Sequence, residues 1–111
     1  MNYQSVTTEV LTIEPQGSIN AANAAAFKER LVNDIATTTA TTFLVDLHQV
    51  EFLDSAGLMA LVAGYRLAQS LERRMSLCCV SPSVRILFEL TQLDGALEIF
   101  ATRADFEATL A

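Results

Sequence analysis

The sequence predicts a single α/β domain over residues 1–111, with a mixed, mostly parallel sheet of about five strands and about four helices. Three observations predict it. Segments of strand character alternate with segments of helical period, the pattern of a parallel sheet joined by right-handed crossovers. The stretch "FLVDL", Phe43–Leu47, is apolar on both faces except for Asp46, as suits an inner strand covered on two sides. Helix-start chemistry also follows strand segments directly, most plainly at Ser81-Pro82, an N-cap followed by proline in the first helical position.

"SVTTEVLTIEPQGSIN" alternates loosely and is β-branched, which predicts strands near Tyr3–Thr8 and Val10–Pro15. Asn20 is placed to cap a helix in "NAANAAAFKERLVNDIA", whose apolar stripe is Ala24, Phe27, Leu31 and Ile35, with Lys28, Glu29 and Asn33 facing water. The threonine run Thr37–Thr42 resists helix and reads as a connector. After the inner strand, "HQVEFLD" leads to a helix beginning at Ser55. "MSLCCV", Met75–Val80, reads as another inner strand, followed by the helix "SVRILFEL" and a last strand, Ala96–Phe100. Thr102 with Asp105 resembles a capping box and opens a closing helix whose apolar residues are Phe106 and Leu110. In such a sheet the loops leaving the carboxyl ends of strands gather on one edge, so Asn20, Ser55 and Ser81 are expected there.

Composition narrows the classes of function. The chain is 51% hydrophobic with a net charge of −6, which describes a folded globular domain and disfavours both nucleic acid and an anionic membrane surface as partners. Met1–Ser18 has no cationic start and no unbroken apolar segment, so no secretory leader is expected. No apolar run approaches the roughly 18 residues of a spanning helix, and a cytoplasmic location is expected. Cys78 and Cys79, the only cysteines, are adjacent on a predicted strand and point to opposite faces, which predicts reduced, mostly buried thiols. With one histidine and no further cysteine, no metal site is expected.

The stretch "VEFLDSAGLMALVAGY", Val50–Tyr65, sets an acid and a hydroxyl before ten residues without a charge. A hydrolase would need a base for Ser55 and a group to orient that base. His48 is the only histidine and reads as a loop residue without a role, and no G-x-S-x-G elbow surrounds Ser55. Gly17, Gly57, Gly64 and Gly95 are scattered and form no phosphate cradle. No catalytic residue is assigned. Helix capping alone would explain either Asp54 or Ser55.

The same residues carry a family resemblance. "FLDSAGLMAL" resembles the signature segment of the STAS domain, named for sulfate transporters and anti-sigma-factor antagonists. "EPQGSINAANAAAFKERL" is similar to the family's second strand and first helix, and "LCCVSPSVRILFELTQL" to its fourth strand and third helix. The resemblance covers nearly the whole chain and implies a STAS-like single domain over residues 1–111. It implies a non-enzymatic anti-sigma-factor antagonist of a bacterial partner switch, whose unphosphorylated form binds an anti-sigma factor that is also a serine kinase. Phosphorylation at Ser55, the serine of the D-S-x-G-L turn, would weaken that complex, and a PP2C-type phosphatase would reset it. The ATP and metal belong to those partners; the chain itself carries no cofactor. The implied partner-binding residues are Asn20, Asp54, Ser55, Ala56, Gly57 and Leu58. The uncharged run adds Met59 and Val62 as residues left for a partner while the other helix face packs on the sheet. Many members carry an acid where this chain has Asn20, which keeps a hydrogen bond and loses the charge. The rival implication is an adaptor subunit of a lipid-transport ATP-binding-cassette complex without a phosphoswitch. A transporter tail is disfavoured because no spanning segment is present.

Overall fold

The computed structural model describes residues 4–7 and 10–110. In chain order the elements are Gln4–Thr7 (β1), Val10–Ile13 (β2), Gly17–Ile19 (β3), Ala24–Thr37 (α1), Thr42–Asp46 (β4), Val50–Leu53 (β5), Ser55–Ser70 (α2), Arg74–Cys78 (β6), Pro82–Leu90 (α3), Glu98–Phe100 (β7) and Arg103–Glu107 (α4), with short 3-10 turns at Leu93–Gly95 and Ala108–Leu110. β1 and β2 form an antiparallel pair, and β2, β4, β6 and β7 run parallel in a five-stranded sheet ordered β1-β2-β4-β6-β7. The predicted class, a mixed and mostly parallel sheet with four helices, is the one found. Tyr3 and Thr8, at the ends of the first predicted strand, lie outside the described residues.

Side-chain alternation divides each inner strand between two cores. Leu11, Ile13, Phe43, Val45, Met75 and Leu77 pack in one cluster with Leu31 and Ile35 of α1, Leu58 and Leu61 of α2, and Val84 and Phe88 of α3. The opposite parity supplies Leu44 and Cys78, which pack against Phe106 of α4. Both faces of β4 and β6 are therefore covered, which is why the middle of each is mostly apolar. The polar exceptions on the second face are bonded: Ser76 donates to the Glu98 carboxylate, which also accepts from Arg74 Nε at 2.7 Å.

Several expectations need correction. The sequence reading assigns no strand to Gly17–Ile19 or Val50–Leu53, the latter inside "HQVEFLD"; the two pair in parallel as a separate two-stranded sheet. Gly17 makes the entry possible, since its φ of +78° is accessible to glycine and its N–H reaches Gln49 O at 2.9 Å. Asn20 does not cap α1. Its side-chain oxygen is spent one turn early on the Ala22 N–H at 2.9 Å, and the helix starts at Ala24 behind Asn23. α1 runs on to Thr37 and β4 starts at Thr42, so the threonine connector is shorter than read. β6 ends at Cys78, two residues before the predicted end, because Cys79 adopts a left-handed backbone with φ +62°. Leu110 remains 46% exposed, because the closing helix is only five residues long and ends before it. The caps at Ser81 and Thr102 form as expected, accepting from Val84 N–H at 3.4 Å and Asp105 N–H at 3.0 Å.

Candidate functional site

The two short parallel strands bring together the loops that sequence reading placed apart by 34 positions. β3 ends at Ile19 beside Leu53 at the end of β5, so the Asn20 loop and the Asp54-Ser55 turn emerge as neighbours. The Asp54 N–H donates to Ile19 O at 3.2 Å. The Asp54 carboxylate then holds both sides. Oδ1 accepts the Gly57 N–H at 3.0 Å, which caps α2, and Oδ2 accepts the Ala21 N–H at 3.1 Å from the neighbouring loop. That loop is internally tied: Asn20 N–H donates to Asn23 Oδ1 at 2.9 Å, and Asn23 Nδ2 donates to Ser18 O at 2.8 Å.

Gly57 is explained by this contact. A Cβ there would sit 2.6 Å from Ile19 O and 2.6 Å from Leu53 Cδ1, so the first turn of α2 approaches the end of β3 closer than any side chain permits. The glycine of the turn is thus a packing requirement that lets Asp54 reach Ala21.

Capping by Asp54 releases Ser55. It occupies the first helical position, is exposed, and its hydroxyl makes no hydrogen bond among the described residues. Sequence left open whether Asp54 or Ser55 caps the helix; the structure gives the cap to Asp54. Along the same run Met59 is 56% exposed and Ala56 is half-buried. Gly57 and Leu58, expected on the partner surface, are instead buried, because α2 turns Leu58 onto the sheet, and they hold the helix. Val62, 7% exposed, lines the groove between α1 and α2. Asn20 is half-buried beside the turn.

From Ala56 a shallow groove of about 430 Å³ runs between α1 and α2. Its walls carry small side chains, Ala24 and Ala25 opposite Ala56 and Ala63, with Met59 on the rim and the cations Lys28 and Arg66 along it. In a chain with net charge −6, these two cations give the groove a local sign opposite to the whole. The sequence signal was present, since 56, 59, 63 and 66 share a helical face, but the role of α1 as the facing wall was not visible.

A second polar cluster lies at the carboxyl edge of the main sheet. Asp46 accepts the His48 N–H at 3.0 Å, its Oδ1 lies 2.9 Å from His48 Nδ1, and Arg103 Nε stands 3.8 Å from Oδ2. Burial pushes the Asp46 carboxyl up, but the His48 backbone and ring and the Arg103 guanidinium outweigh it and hold the group below the usual carboxylate range. Burial, with the Asp46 charge beside it, pushes the Cys78 thiol upward. Both cysteines are free thiols. Because β6 stops at Cys78, the opposite-face argument does not apply to the pair. His48, read as a loop residue without a role, is the residue that orients Asp46.

The described helices include none long and apolar enough to cross a membrane. A family model of the STAS domain matches residues 4–106. The chain belongs to the STAS domain family. Solved structures agree in fold over nearly the whole length. A Thermotoga maritima protein provisionally assigned as an anti-sigma factor antagonist superposes with TM-score 0.88 at 22% identity, covering 96% of this chain and 91% of that one. An anti-sigma factor antagonist from Mycobacterium paratuberculosis gives 0.85 at 25% identity, covering 96% and 89%. The Bacillus cell fate determinant SpoIIAA in its phosphorylated form gives 0.73 at 20% identity, covering 97% of each. In this STAS domain the D-S-x-G-L turn is Asp54–Leu58, and it stands at the meeting of the two short strands with the head of α2.

Proposed function

We propose that this STAS domain is a non-enzymatic anti-sigma-factor antagonist that works in the bacterial cytoplasm as half of a partner switch. Its unphosphorylated form binds an anti-sigma factor that is also a serine kinase; phosphorylation at Ser55 weakens the complex, and a PP2C-type phosphatase restores it. The observation that carries this reading is the division of labour at the turn: Asp54 caps α2 and fastens the Asn20 loop, while the Ser55 hydroxyl is exposed and uncommitted. A serine needed only as a cap would be bonded to the helix. Structural neighbours described as anti-sigma factor antagonists, among them SpoIIAA, which is also solved in a phosphorylated form, support the same role.

The physical consequence of modification follows from charge. A phosphate brings roughly −1.5 to −2 charge. The head of α2 favours it and Asp54 repels it, so the local effects oppose each other and the helix remains folded. Beside it, Asn20, Ala56, Met59 and the α1–α2 groove make up the surface proposed to meet the partner. There a dianion must be desolvated when the complex forms, at a cost well above any local gain.

The test is to incubate the purified protein with ATP and a serine kinase of histidine-kinase fold from the same genome, then map the modified residue. Phosphate on Ser55, with loss of the complex, is the expected result. Phosphate elsewhere, or a pull-down that recovers a membrane transporter complex and no kinase, would favour the adaptor role instead.

A further inference from the structure

Three potential metal donors converge at the carboxyl edge of the main sheet. β4 ends on Asp46 and its parallel neighbour β6 ends on Cys78, in register with it. Cys79 follows with φ +62°, which breaks the alternation that would have sent its thiol to the other face. The two sulfurs and one Asp46 carboxylate oxygen lie within 4.8 Å of one another. Three points so spaced lie within about 2.8 Å of a common centre. Zinc takes thiolate sulfur at about 2.3 Å and carboxylate oxygen at about 2.0–2.2 Å, so the donors need close by only about half an ångström.

The surroundings suit a cation. Asp46 is already oriented by the His48 N–H and ring, the kind of outer support that fixes a ligating carboxylate. Two thiolates and a carboxylate carry three negative charges; a divalent cation offsets two of them, and the Arg103 guanidinium, 3.8 Å from Asp46 and shared with Glu14 at 3.2 Å, offsets part of the third. That offset matters because Asp46 and Cys78 are buried. Cys79, only half-buried, gives access. Loops at the carboxyl ends of parallel strands are also where α/β sheets hold ligands.

We propose that Asp46, Cys78 and Cys79 bind one thiophilic divalent cation of the zinc class, with a fourth position left to water. Two sulfur donors select such an ion over magnesium or calcium. Binding displaces the thiol protons, as thiolate ligation requires. This inference does not rest on the Ser55 switch, and either can fail alone.

The probe is Co²⁺ added to the reduced, untagged full chain, read by visible and near-ultraviolet absorption, followed by displacement with Zn²⁺. Sulfur-to-cobalt charge-transfer bands that saturate at one equivalent and vanish with Zn²⁺ are expected. Cys79→Ser should abolish the bands while leaving the circular dichroism unchanged. Asp46→Asn should weaken binding by about tenfold or more. Cys78 is wholly buried, so Cys79→Ser decides the matter if a Cys78 variant fails to fold. No charge-transfer band in the wild type, or bands that survive Cys79→Ser, would overturn the site.

Discussion

Replacing Gly57 with alanine should destabilise the protein even though alanine is the better helix former. Intrinsic propensity favours the change by about 0.8–1.0 kcal/mol in a helix interior, and by less in a first turn. Against this stands the added Cβ, 2.6 Å from Ile19 O and 2.6 Å from Leu53 Cδ1. The first of these is backbone, held in the two-stranded sheet, and cannot rotate away. Overpacking of this kind costs about 1–3 kcal/mol, so a net loss of about 1–2 kcal/mol is expected. For a domain of this size each kcal/mol lowers Tm by about 4 °C, giving a fall of about 4–8 °C by calorimetry or circular dichroism. The shift also pushes the head of α2 away from Ala21, so amide exchange at Ala21 should quicken. Gly95→Ala is the control: a Cβ there meets nothing within 4 Å, and its Tm should move by no more than about 2 °C. A Gly57→Ala protein as stable as the wild type, or more so, would refute the close approach on which the site is built.

Asp54→Ala removes the α2 cap and the Ala21 tie together and should cost about 1–2 kcal/mol, whereas Asp54→Asn keeps a capping oxygen and should cost less; equal losses in thermal unfolding would contradict the capping geometry. Asp34 lies in the last turn of α1 with Oδ2 buried and unbonded, and burial raises its carboxyl above the usual value. A raised carboxylate destabilises the fold above its folded-state pKa and ceases to do so below the unfolded value of about 3.9. Asp34→Asn should therefore stabilise at neutral pH by about 0.3–1 kcal/mol, as relief of a charge at the negative end of a helix, and the gain should fade as pH falls through the acid range. Urea unfolding of both proteins at several pH values checks the sign. In the native metal-free protein one thiol, Cys79, should react readily with a thiol reagent while Cys78 reacts only on unfolding; equal rates would contradict the burial of Cys78.

The parts of the fold written in local pattern were legible. Phe43–Leu47 and Met75–Cys78 show their two-sided burial because every position except Asp46 is apolar or small. Ser81-Pro82 and Thr102 announce their helices because a cap is a contact over three residues. β3 and β5 were not legible: they have three and four residues, and their pairing joins Gly17 to Val50, which no local window contains. Asn20 misled for a related reason, since its side chain closes a turn just ahead of the helix rather than the helix itself. At the site, the family turn identified Asp54 and Ser55, but which one caps depended on Asp54 reaching both Gly57 and Ala21. Leu58, Met59 and Val62 form one uncharged run in sequence, and only the packing of α2 separates exposed Met59 from its buried neighbours. The Asp46–His48 pair and the approach of Cys79 to Cys78 depend on a turn and on a positive φ, and neither leaves a periodic signal.

The central claim is that Ser55 serves a partner and Asp54 serves the fold. The direct measurement is release of the kinase complex by ATP, compared for the wild type and Ser55→Ala, with Tm recorded for both. Because Asp54 keeps the cap, Ser55→Ala should melt within about 1 kcal/mol of the wild type and bind the kinase as well. ATP should dissociate the wild-type complex and leave the Ser55→Ala complex intact. ATP releasing both proteins alike, or Ser55→Ala losing stability and affinity together, would contradict the account.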